Sequence, residues 1–306
     1  MKLIIQRFKK YTDNDELMFK LSTALKFTLI SAIFAFIAFS LSYLILRIDL
    51  VYFESYGLMT NAITAEAYFD YVFQSLWDLF PWIMLVFLII FFGGYYIAII
   101  MMRPFKVIGE HCEERMKQEK RFYQADFFSD LKLLTSFTSF FFEKIEEAKI
   151  KGKLTTVEIP EDFPKIHKPI IEKNFFLSYI LLITIFGLLA SVGILFLNNE
   201  IREQLFILAN KMTSHKAQVR FFLERQAEVE TLAIYGLLIL HLTVNFIFGM
   251  HLSHKIASPS FAVFATLRSF LKGNYHNRIH LIGFYYLRSD CRKINKYLDY
   301  VQKELT

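Results

Sequence analysis

Residues 258–306, SPSFAVFATLRSFLKGNYHNRIHLIGFYYLRSDCRKINKYLDYVQKELT, decide how this chain is read. Ser260, Val263, Leu267 and Phe270 recur at spacings of 3, 4 and 3, and Gly273 closes that run. A connector carrying Tyr275 and Ile279 follows. Then Cys291, Ile294, Leu298, Val301 and Leu305 recur at 3, 4, 3 and 4. Apolar positions every 3.5 residues on average make a narrow greasy edge, which a helix carries when it packs lengthwise on partner helices. The stretch therefore predicts two short amphipathic helices joined by an extended connector.

Outward from this stretch the chain is far more apolar. It has 306 residues, 55% of them hydrophobic, and a mean hydropathy of +0.36. Four runs, 27–46, 79–102, 175–197 and 231–250, contain no Lys, Arg, Asp or Glu. Each is long enough for the roughly 30 Å hydrocarbon layer, which takes about 20 apolar residues in a helix. This composition excludes a soluble enzyme and predicts an all-α membrane protein with four transmembrane helices.

Orientation follows from the basic residues. The segments 1–26, 103–174 and 254–306 hold six, fourteen and nine Lys/Arg, whereas 47–78 holds only Arg47 against five acids. The loop 198–229 holds five, so parity assigns its side. The positive-inside bias places both termini and the middle segment in the cytoplasm. It also accounts for the net charge of +6 without a nucleic-acid partner. The first span lies behind 26 polar-rich residues and has no small-residue cleavage site, so it reads as a retained anchor.

The chain says the same thing twice. Each unit is a span, a 32-residue outer loop (47–78, then 198–229), a second span, a proline at the exit (Pro104, then Pro259) and a cytoplasmic helical pair. In the first unit the paired helices carry Phe105, Ile108, Cys112 and Met116, then Leu131, Leu134, Thr138, Phe141, Ile145 and Ala148. Gln118 stands where a glycine would match Gly273. Proline lacks an N–H and fixes φ, so each exit proline is expected to mark where the membrane helix hands over to a new one, with or without a relay role. Pro160, Pro164 and Pro169 predict an extended linker. The boundaries are an N-terminal cytoplasmic segment 1–26, hairpin one 27–102, a helix pair 103–148, a Lys/Pro linker 149–174, hairpin two 175–253 and the second pair 254–306.

Helix, glycine, extended connector and helix behind a membrane exit resembles the HAMP domain, the parallel four-helix linker of bacterial transmembrane receptors. Gly273 lies fourteen residues after Pro259, as in that family, and Asp290 sits where the family usually has an acidic residue opening the second helix. Cys291 and Arg292 replace the Glu-Ile-Gly remnant that usually follows, and the copy at 103–148 is degenerate. The resemblance implies a signal-relay protein of the bacterial inner membrane. The seam residues Leu131, Leu134, Phe141, Ile145, Val263, Leu267, Phe270, Ile294, Leu298 and Val301 would be its moving parts, with Pro104, Pro259 and Gly273 as hand-over and stop points. In the family the four helices come from two chains; here the two pairs are expected to associate within one chain, with homo-oligomerisation the alternative.

Chemistry is sparse. No phosphate-binding glycine loop, nucleophile elbow or His-Glu-x-x-His occurs, so no catalytic, cofactor or metal site is expected. Cys112 and Cys291 fall on the cytoplasmic side and are expected to be reduced. His241 and Asn245, four apart in the fourth span, form an intramembrane polar pair: a functional candidate, or an interhelical hydrogen bond that holds the bundle, which is favoured. The aromatic first outer loop suits a docking partner or the head-group belt. Because the chain ends at Thr306, directly after the second helix, output is expected to pass to a cytoplasmic partner. The rival class is a structural scaffold subunit of an envelope complex.

Overall fold

Long runs of Leu, Ile, Phe and Ala without interior charge have one way to satisfy their backbone where water is absent, the α-helix. The structure, a computed structural model, describes residues 14–56, 65–117, 123, 131–163, 172–212 and 216–305. Among them there are six α-helices and no strand: α1 Asp15–Ser55, α2 Ala65–Met116, α3 Lys132–Lys151, α4 Lys173–Met212, α5 Lys216–Leu271 and α6 Arg288–Leu305, with a 3-10 turn at Tyr285–Leu287 before α6. Stretches of α1, α2, α4 and α5 are long and apolar enough to cross a membrane. Phe36, Trp82 and Ile239 are 70, 66 and 67% exposed on them, a surface suited to hydrocarbon rather than water.

The outer loops are shorter than the apolar runs imply. α1 continues to Ser55 and α2 starts at Ala65, while α4 reaches Met212 and α5 starts at Lys216. Residues 198–212 and 216–229 are therefore helical extensions of α4 and α5. Gln118, Pro164, Pro169 and the side chains of Tyr68, Phe69, Tyr71 and Phe73 lie outside the described residues.

The chain forms two compact units. The span unit comprises Ala24–Gly94 and Ile183–Ile247. Its core joins three helices, with Phe34 and Ala38 of α1 against Ile194 of α4 and against Ile234 and Leu238 of α5. Beyond that core Tyr52 stacks on Phe222, centroids 3.9 Å apart.

The bundle unit comprises Met1–Thr23, Tyr95–Leu182 and Phe248–Thr306. Here the ends of α2 and α5 meet α3 and α6. Gly273 ends α5 with φ +97°, and the N–H groups of Gly273 and Asn274 return to the carbonyls of Phe270 and Ser269, a glycine C-cap. The connector then runs extended, because the Asn295 side chain accepts from the Ile279 N–H (2.8 Å) and donates to the Ile279 carbonyl (3.0 Å). The linker's ends belong to helices, 149–151 to α3 and 173–174 to α4, and its described stretch 152–163 is not helical. It lies on the bundle, where the N–H groups of Val157 and Leu154 donate to the carbonyls of Leu271 (2.9 Å) and Leu305 (3.4 Å). Those are last-turn carbonyls that a helix cannot satisfy itself.

Candidate functional site

The two apolar edges read from the sequence converge on one core. Val263, Phe270, Ile294, Leu298, Val301 and Phe141 are fully buried, and Leu131, Leu134, Ile145 and Leu267 are at most 2% exposed. Phe105, Ile108 and Cys112 bring α2 into the same core. Phe137, Phe142 and Tyr297 are buried in it as well. These three large rings lie beside the strict 3-and-4 edge, on flanks that a two-helix seam would leave open and a four-helix core fills.

Contacts between helices give the direction of each. Along α2 and α3, His111 meets Phe142 (4.5 Å between centroids) and Arg115 pairs with Glu146 (3.1 Å). Between α3 and α5, Phe137 meets Phe264 (4.6 Å) and Phe141 meets Phe270 (6.1 Å). Between α3 and α6, Phe142 meets Tyr297 (5.7 Å) and Lys149 pairs with Glu304 (3.2 Å). Between α2 and α6, Gly109 abuts Asp290, and Glu113 pairs with Lys293 at 3.0 Å. Every pairing advances in the same sense on both helices. The four helices are parallel, and they come from one chain.

α2 and α6 come close at Gly109. A Cβ there would lie 3.1 Å from Asp290 Cβ and 3.2 Å from its Cα, so a larger residue would press the two helices apart by a few tenths of an ångström. The contact covers Asp290, 8% exposed. Burial pushes the Asp290 carboxyl up to about 6; Lys293 opposes this, Glu16 and Glu110 reinforce it, and Lys106 opposes it more weakly. Lys293 itself is held above its ordinary range, chiefly by its hydrogen bond to Glu113. Cys112 and Cys291 are both buried free thiols, and burial pushes the Cys291 thiol up to about 12. Neither is placed or ionised for nucleophilic chemistry.

Pro104 and Pro259 lie inside continuous helices, α2 and α5, and neither starts a new helix. At Pro259 the reason is visible. A proline cannot donate to the carbonyl four residues back, here Lys255, and the Tyr286 hydroxyl donates to that carbonyl at 2.9 Å. Tyr286 is held in turn by stacking on Phe19, centroids 3.9 Å apart. The hydroxyl replaces the bond that the proline removes, so α5 runs on through it. Tyr286→Phe should accordingly lower bundle stability by about 1 kcal/mol, read as earlier hydrogen exchange of the amides around 255–263.

His241 and Asn245 are fully or almost fully buried in the span unit. The His241 ring nitrogens face Ser31 Oγ of α1 (3.3 Å) and Ser191 Oγ of α4 (3.0 Å). Asn245 donates to the His241 carbonyl at 3.0 Å and packs against Gly187. The histidine thus joins three helices, and its neighbours are two hydroxyls rather than a carboxylate or a second histidine. That arrangement is a packing tie. No group of three or more His, Cys, Asp or Glu able to hold a metal occurs among the described residues.

Fold and composition define an all-helical, multi-pass membrane protein. No family model, curated protein or solved structure matches the chain.

Proposed function

We propose that this protein is a non-enzymatic signal-relay protein of the bacterial inner membrane, with both termini cytoplasmic, acting through a HAMP-like bundle on a protein partner. The observation that carries this reading is the parallel four-helix core built from two helix pairs of one chain. α5 contributes both to the span unit and, beyond Phe248, to that core, so a displacement of its apolar stretch has a covalent route into the bundle. A bundle whose two packings differ by about 1–3 kcal/mol responds to a modest bias. Small and polar core members such as Thr138, buried at 0% and bonded to its own helix at Leu134, leave the seam less interlocked than an all-leucine one. The scaffold reading has the same core held in a single state.

Electron–electron resonance between spin labels at positions 149 and 304, in nanodiscs of thin and thick bilayers, separates the two. Relay predicts two distance populations whose ratio shifts with bilayer thickness, since mismatch tilts or bends spans. A single distribution, the same in both bilayers, rejects relay.

A further inference from the structure

In the span unit, the extensions of α1, α4 and α5 line an open cavity of about 330 Å³. Asp49 lines it and is 1% exposed, yet neither of its carboxylate oxygens accepts a hydrogen bond of proper geometry. The Gln226 side chain faces it, and the Gln226 carbonyl oxygen is itself buried without a donor. Glu230, 5% exposed, also lines the cavity, and one Ser42 hydroxyl donates to it at 3.5 Å. The nearby cation does not answer this need. Arg202 donates to Thr231 and Asn199, both at 3.2 Å, and its charge acts on Glu230 rather than on Asp49.

Three buried acceptor atoms without donors are costly, and native proteins keep such groups partnered. The partner they call for is a multiple N–H donor carrying positive charge. The cavity holds two buried acids, Asp49 and Glu230, and a single guanidinium, that of Arg202. Its volume is far larger than a bare ion, and Phe206, Leu223 and Ile45 line it with apolar surface. Exposed Glu203 at the same cavity favours the approach of cations. This combination of an apolar wall with a few convergent polar groups is what small-molecule sites look like.

We infer that this cavity is a binding site for a small primary ammonium ion with an apolar body, its –NH3⁺ received by the Asp49 carboxylate and the Gln226 carbonyl. Such a ligand would knit α1 to α5 at the outer end of the span unit. The site stands on its own geometry. Binding is read by calorimetry and bundle movement by the 149–304 distance, so this inference and the relay reading can fail separately.

The test uses the full-length protein in detergent, titrated calorimetrically with phenethylamine and with its neutral analogue 2-phenylethanol, and melted in the presence of each. Phenethylamine should bind and raise the melting temperature by mass action, and the alcohol should do neither. Asp49→Asn, isosteric and uncharged, should weaken phenethylamine by at least ~10-fold while keeping the helical circular-dichroism signal. Leu223→Trp, which fills the cavity without touching a charge, should abolish binding and serves if Asp49→Asn does not fold. The inference is overturned if phenethylamine gives no heat and no shift. Equal binding to wild type and Asp49→Asn would overturn it, as would Asp49-dependent stabilisation by sodium or calcium chloride without any by the amine.

Discussion

Leu298→Asp is expected to dismantle the four-helix core, at a cost above about 4 kcal/mol. Leu298 is fully buried at the centre of α6, and its neighbours one turn either side, Ile294 and Val301, are equally buried. Aspartate there loses the leucine's burial and places a carboxylate where no cation reaches, two penalties that add. Hydrogen–deuterium exchange in nanodiscs reads the outcome by segment. Amides of 132–151 and 288–305 should lose protection, while those of 27–46 and 183–197 keep theirs. Leu298→Met, which conserves volume, should cost under about 1.5 kcal/mol. Unchanged protection in the aspartate variant would mean that α6 is not part of a shared core.

Asp290→Asn should stabilise the bundle at neutral pH, by about 3 kcal/mol at most. Burial lifts the Asp290 carboxyl from 3.8 to about 6, and each tenfold displacement of a proton equilibrium is worth about 1.4 kcal/mol. The sign follows from which state holds the proton. Between pH 4 and 6 the folded protein keeps a proton on Asp290 that the unfolded chain has released, so the contribution of this group to stability falls as pH rises through this window. Below it the carboxyl is neutral in both states and its contribution is fully present. Above it the folded bundle carries a buried charge that Lys293 only partly offsets. Asparagine mimics the neutral form, so the variant's melting temperature should gain on the wild type's as pH rises from 4 to 7, groups common to both cancelling in the difference. A difference that stays constant or shrinks over this interval would contradict the assignment.

The bundle was legible because its seam is periodic. Spacings of 3 and 4 picked out Val263, Phe270, Leu298 and Val301, each fully buried. The same rule could not find Phe137, Phe142 or Tyr297, since a ring on the flank of a seam becomes core only when a third and fourth helix arrive. Nor could it find Asn295: an amide that holds the Ile279 peptide from 16 residues away leaves no periodic trace. The prolines misled for a related reason. Proline's missing donor is a local fact that points to a helix start, and Tyr286, which supplies the replacement from 31 residues away, is a tertiary one. Asp49 and Glu230 were hidden by their position just outside the apolar runs, where acids are ordinary until the helices prove to extend past them.

Both helix pairs of one chain make one parallel bundle. Glu113 and Lys293, 3.0 Å apart across α2 and α6, are side chains through which it can be tested without entering the core. Glu113→Cys and Lys293→Cys, in a background with Cys112 and Cys291 replaced by serine, are joined with a short bis-maleimide in native membranes. A cross-linked product is expected at the mass of a single chain, formed equally when tagged and untagged chains are mixed. A product found only at twice that mass, carrying both tags' chains, would contradict it.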